Sequence, residues 1–182
     1  MGYVAITLVA AAMTVVATRG AWRGIPKARF QLPSLLAAGL ILQTCAVMTA
    51  TVLSSRGKVL FAALLASYFV LALFCLVNHE KRGMTVIAFG LGLNAVVIGV
   101  NHGMPTRTPD GHPPIERTLK HRPATGDDHL PWLADNIWLP RPVSSMVSAG
   151  DIAISLGVCG VAFAVTRRRS DELDRAPIRR SA

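Results

Sequence analysis

A chain of 182 residues suits one domain, but 52% hydrophobic residues, 16% charged residues and a mean hydropathy of +0.44 make it too apolar for an ordinary soluble fold. The formal charge of +9 comes without the basic stripe and interleaved aromatics of a nucleic-acid groove, so no nucleic acid is expected as a partner. Arg and Lys cluster instead at the ends of apolar runs, where the positive-inside rule places them. The expected class is all-α: a polytopic membrane helical bundle of about five transmembrane helices in the inner or plasma membrane, N-terminus outside and C-terminus cytoplasmic.

Gly2 to Thr18 is an Ala/Val-rich run, close to the ~17-residue minimum for a span, with Tyr3 and Trp22 as interfacial flanks. It lacks a basic leader and an A-x-A site and is followed at once by Arg19 and Arg23, so it reads as a retained helix and not a cleaved signal peptide. Arg19 to Gln31 carries Arg19, Arg23, Lys27 and Arg29 without an acid and is expected on the cytoplasmic side. Leu32 to Ser54 is the second span, opened by Pro33 and holding Gln43 inside it; Arg56, Gly57 and Lys58 make the next turn. Val59 to Val77 and Gly83 to Val100 form a hairpin about the segment Asn78 to Arg82. The short connections predict that the four spans of residues 1–100 pack as sequential antiparallel neighbours.

Composition changes abruptly in the extracytoplasmic loop expected over residues 101–147. Between Asn101 and Val143 lie eight of the eleven prolines, four of the five histidines and five of the ten acids, the acids balanced by five basic residues. Pro105 to Asp128 reads as irregular. His129 to Pro140 gathers Trp132, Leu133, Ile137, Trp138 and Leu139, which suits a re-entrant or surface-lying lid. Ser148 to Asp151 has capping-box spacing and introduces the fifth span, residues 148–166, whose stripe Gly150, Ala153, Gly157, Gly160, Ala164 permits close helix approach, to another copy or to a partner. Residues 167–182 read as a basic, mixed-charge and disordered cytoplasmic tail opened by Arg167, Arg168 and Arg169. The proposed orientation puts twelve Arg and Lys inside and seven outside, five of those in the long loop.

Asn94 and Asn101 stand seven residues apart and therefore share one helix face. Buried amides serve either interhelical hydrogen bonding or ligand binding. Asp151 is the one acid embedded in an apolar run; it either caps its own helix through Ser148 or serves a site. The expected binding set is Asn94, Asn101 and Asp151 lining one outward-facing pocket, with Trp132 or Trp138 as its apolar lid. No catalytic residue is identified, since neither a phosphate loop nor a nucleophile elbow is present. The loop histidines lack metal-site spacing, so no metal or cofactor is predicted; Asp127, Asp128 and His129 form the densest cluster should one bind. Cys45, Cys75 and Cys159 sit singly in different apolar runs and offer no disulfide framework.

Three stretches, Leu93 to Ile98 leading to Asn101-His-Gly-Met-Pro105, Leu130-Pro-Trp-Leu-Ala-Asp135 and Ser148-Ala-Gly-Asp151, carry a resemblance that covers nearly the whole chain. They resemble an uncharacterised family of small bacterial multi-pass membrane proteins, domain of unknown function 5317. The resemblance implies a membrane location and recurrent Asn, Asp and Pro positions, without an activity; the chain is longer between Pro105 and Leu130 than it implies. Two classes of function follow. One is a non-enzymatic accessory subunit or binding component of a membrane complex, with the lipid bilayer and a partner membrane protein or a second copy as neighbours. The alternative is a membrane enzyme or transporter handling an amphiphile or lipid at the outer leaflet.

Overall fold

The computed structural model describes residues 2–17, 29–55, 57–109, 111, 115–141 and 144–174. The expectations placed on Arg19, Trp22, Arg23, Lys27, Arg56, His112 and the chain after residue 174 fall outside these. Five helices form: α1 (Gly2–Ala17), α2 (Pro33–Val52), α3 (Lys58–Val77), α4 (Met84–Asn101) and α5 (Ala149–Asp174). Four of them, α2 to α5, contain stretches long and apolar enough to cross a membrane, whereas the apolar α1 is shorter. Large apolar side chains such as Ile41, Val59, Phe69 and Phe89 stay exposed on their outer faces, as lipid-facing residues do.

The helices α2, α3, α4 and α5 pack in sequence, each against the next, but α1 does not join the row beside α2. It docks on α5, where Thr7 Oγ1 and Ser155 Oγ lie 2.9 Å apart, and it also reaches the last strand of the loop. The sequential expectation for the first span is thereby corrected. Pairing of neighbours is compelled only where the connection is short, and the chain between Ala17 and Pro33 is long enough to span a bundle of this width. A second correction concerns the chain after Thr166: the helix continues through the arginines to Asp174. A helix already nucleated extends readily through Arg, Glu and Leu, which have good helix propensity.

Close approach of α4 and α5 rests on glycine. A Cβ on Gly157 would stand 2.7 Å from the Gly83 carbonyl oxygen, and one on Gly150 would stand 2.8 Å from that of Gly90. The small-residue stripe is therefore consumed within the chain, α5 against α4. Gly83 is fixed twice over, because its φ of +96° also favours a residue without Cβ.

Asn78, immediately after α3, and Asn101, the last residue of α4, each clasp another segment. Asn78 donates to the carbonyls of Phe74 (2.9 Å) and Gln31 (3.0 Å) and accepts from the Gln31 N–H (2.7 Å). The amide thus satisfies both main-chain groups of one residue, as a neighbouring strand would. Phe30 packs on Phe74 beside it, with the Lys81 ammonium 5.1 Å from the Phe30 ring centre.

The long loop is more ordered than its composition suggests. Strand β1 (Met104–Thr106) pairs in parallel with β2 (His121–Pro123), and β3 (Ile137–Leu139) pairs antiparallel with β4 (Ser145–Val147). Thr106 also bridges to Asp135. The expectation of an irregular segment from Pro105 to Asp128 is corrected at residues 105–106 and 121–123, while the other described residues of the segment carry no helix or strand. Short strands rich in proline give little periodic signal, and these form because main-chain groups buried against the helices must find partners.

Candidate functional site

The candidate site grows from a step in the bundle. Asn94 lies level with the first turn of α5, so the last seven residues of α4 rise about 10 Å above it. The loop fills that step.

At the foot of the step, Ser148 caps α5. Its hydroxyl accepts from the Asp151 N–H at 3.0 Å, while Asp151 Oδ2 accepts from the Ser148 N–H at 3.3 Å, the reciprocal capping box that the spacing indicates. Asn94 closes the ring: its Nδ2 donates to Asp151 Oδ1 at 2.9 Å and its Oδ1 accepts from Ser148 Oγ at 2.9 Å. Asn94 and Ser148 are fully buried and Asp151 is half-buried. Asp151 is thus joined both to its own cap and to Asn94, which is the structural alternative weighed for it.

Asn101 stands at the top of the step and is engaged elsewhere. Its Nδ2 donates to the carbonyls of Val97 (3.0 Å) and His129 (2.8 Å), and its Oδ1 accepts from the His129 N–H (2.8 Å). This repeats the Asn78 clasp. Arg122, buried, donates from Nε to the Asn101 carbonyl at 2.8 Å and pairs through Nη2 with Asp128. Asp128 also accepts from the Thr125 N–H (2.7 Å) and hydroxyl (2.9 Å). Burial raises the Asp128 pKa, but the Thr125 and Arg122 donors outweigh it and hold the carboxyl below its ordinary value.

The other sequence candidates separate. Trp132 is 69% exposed and Trp138 is half-buried in β3, while the amides of Asn94 and Asn101 are taken up by Ser148, Asp151, Val97 and His129. Asp128 and the His129 backbone are held in the loop clasp, and Asp127 lies in the adjoining turn. Among the described residues no three His, Cys, Asp or Glu side chains come together to hold a metal ion. The three cysteines are free: Cys75 buried, Cys159 half-buried and Cys45 exposed.

Sequence reasoning missed Tyr68, Lys120 and Asp135. Tyr68 on α3 is 3% exposed, and Lys120 in the loop is half-buried. Burial alone lowers the Lys120 pKa, but attraction to Tyr68, Asp151 and Asp135 reverses it and the net shift is upward, so the ammonium stays charged. Asp135 is 2% exposed; its Oδ2 lies 3.1 Å from His121 Nδ1 and accepts from Thr106 Oγ1 at 3.3 Å, while Oδ1 is buried without a hydrogen-bond partner. Lys120 resembled any loop lysine in the sequence, and the one available signal was its place two residues before the buried Arg122 in an otherwise proline-rich stretch. Farther out on the loop, a hollow of about 450 Å³ opens between residues 106–108 and 123–126, with Arg107 on its wall.

A family described as of unknown function, DUF5317, matches residues 27–163. No curated protein and no solved structure matches the chain. The chain belongs to the DUF5317 family.

Proposed function

We propose that this DUF5317 protein is a non-enzymatic component of a membrane assembly, an accessory subunit or binding protein that presents its long loop as a preformed surface. We place it in the bacterial inner membrane, loop and N-terminus outside and C-terminus cytoplasmic, on the excess of Arg and Lys in the opposite connections. The observation that supports the binding role is how the loop is held. Asn101 grips His129, and Arg122 ties the end of α4 to Asp128. A surface fixed in this way loses little freedom on association, which favours binding over a chemistry that needs unpaired groups. The 450 Å³ hollow supplies concavity on that surface. Because the small-residue stripe is used between α4 and α5, a partner is expected on the loop or on the outer faces of α1 and α2.

The buried carboxylate of Asp135, one oxygen of which has no hydrogen-bond partner, favours one second reading, a membrane enzyme or transporter acting on an amphiphile at the outer leaflet. Purification in mild detergent after cross-linking in cells separates the two. A stoichiometric partner protein cross-linked through the loop is the expected result, whereas a copurifying lipid with no protein partner would favour the second reading. Labelling of single cysteines at Gly24 and Asp127 from either side of the membrane tests the orientation.

A further inference from the structure

Gln43 is the eleventh of the twenty residues of α2, so about 15 Å of helix separates it from either end. Among the described residues its half-buried amide has no hydrogen-bond partner. An unpaired amide at mid-depth of a bilayer is costly, and the glutamine side chain is too short to reach water from there. The place of α2 in the fold leaves the amide without a neighbour. While α3, α4 and α5 each pack between two helices, α2 packs on α3 at the end of the row, and α1 docks on α5 instead.

The buried residues Gly39, Ala46 and Ala50 mark the α3 side of α2, where a Cβ on Gly39 would stand 2.7 Å from the Leu71 side chain. Beside that contact Leu36, Leu40, Gln43 and Val47 follow one another at intervals of four, three and four, which holds them within about 60° of one another around the helix. This is the spacing of a seam between two helices. Leu36 and Leu40 stay 38% and 49% exposed, and Val47 is half-buried. The amide itself points to the occupant. Copies inserted in one membrane share one orientation, so two of them pair about a twofold axis along the membrane normal and bring the same residue of each to one depth. A carboxamide holds both N–H donors and a carbonyl acceptor and is satisfied by its own kind. A helix of another protein meets the need only where it carries a polar group at that depth, which is rare in membrane spans.

We propose that the flank of α2 carrying Leu36, Leu40, Gln43 and Val47 is the contact between two copies of this chain, packed in parallel with their Gln43 amides hydrogen-bonded to each other. The inference rests on reading the chain as a membrane-spanning component of an assembly, and it names one member of that assembly, a second copy, while the loop stays available to another partner. Disulfide cross-linking tests the geometry. Cys75→Ala with Cys159→Ala leaves Cys45 as the single thiol, and adding Cys45→Ala gives a thiol-free background for Leu36→Cys or Val47→Cys. Each purified protein is reconstituted in phosphatidylcholine vesicles and oxidised with copper phenanthroline. Dimers cross-link through Leu36→Cys and through Val47→Cys. Cys45 does not cross-link, because it lies two residues from Val47, at nearly the same depth but about 160° away around the helix.

The amide is tested by energy transfer between donor-labelled and acceptor-labelled copies as the vesicles are diluted with lipid. Gln43→Leu weakens the dimer about three- to thirtyfold, the range of one interhelical hydrogen bond in a membrane. Gln43→Asn, which keeps an amide, weakens it less, and helix content by circular dichroism is the same in all three proteins. Monomers at every protein-to-lipid ratio, no cross-link at Leu36→Cys or Val47→Cys, a cross-link through Cys45 as strong as theirs, or a Gln43→Leu dimer as tight as wild type overturns the proposal. So does cross-linking of Leu36→Cys in native membranes to a different protein in place of a second copy. The vesicles contain the purified chain alone, so the dimer stands or falls independently of whether a loop-bound partner is captured from cells.

Discussion

Replacing Gly150 with alanine probes the contact on which the candidate site depends. The new Cβ would stand 2.1 Å from Asn94 Oδ1, 2.7 Å from Asn94 Cγ and 2.8 Å from the Gly90 carbonyl oxygen. The Asn94 amide cannot swing aside without giving up Ser148 or Asp151, and the Gly90 contact is backbone, so α4 and α5 have to move apart. Overpacking of this kind costs about 1–3 kcal/mol. Loss of the two Asn94 hydrogen bonds adds about 1 kcal/mol each. The helix preference for Ala over Gly returns about 0.5–1 kcal/mol. The expected net loss is about 2–4 kcal/mol, on the same scale of overpacking and hydrogen-bond terms. Gly92 lies on α4 between Gly90 and Asn94, and a Cβ placed there would meet nothing within 4 Å, so it is the internal control. Gly92→Ala is expected to be neutral or to gain up to about 1 kcal/mol. Reversible unfolding in detergent micelles, followed by circular dichroism, gives both values. If Gly150→Ala unfolds at the same denaturant concentration as Gly92→Ala, the close-approach argument for α4 and α5 is wrong.

Asn101→Ala removes the clasp on His129, so the loop should become sensitive to protease between Thr125 and Leu130 while helix content by circular dichroism stays unchanged; unchanged cleavage would show that Arg122 suffices to hold it. Asp151→Ala deletes the acceptors for Asn94 and for the Ser148 N–H and is expected to cost about 1–3 kcal/mol, with Asp151→Asn costing less because it keeps an oxygen for these donors. Equal losses would contradict the capping account. For Asp128 the folded pKa is depressed, so its stabilisation is fully present above the unfolded value of about 3.9 and is lost as pH falls through the lower folded value. Acid unfolding of Asp128→Asn should lack that component, and identical pH profiles for variant and wild type would refute it.

Apolar run lengths, proline and glycine punctuation and the capping-box spacing at Ser148 and Asp151 determine by themselves that this is a helical protein with several stretches able to cross a membrane. The reason is local: a helix hydrogen-bonds within its own segment, so about twenty apolar residues in a row carry the information without reference to the rest of the chain. The seven-residue spacing of Asn94 and Asn101 is local in the same sense, and the two do share a face. Which partners they meet is not local. The start of α5 is level with Asn94, two turns below Asn101, so one amide joins the Ser148–Asp151 cap and the other clasps His129. Only tertiary structure sets that step, sends α1 to α5, and buries Asp135 beside His121 and Thr106. An aspartate in a polar loop has the same sequence signature whether its carboxylate is in water or buried, because the difference lies in Thr106 and His121, 29 and 14 positions from Asp135, which come near it only when the loop folds.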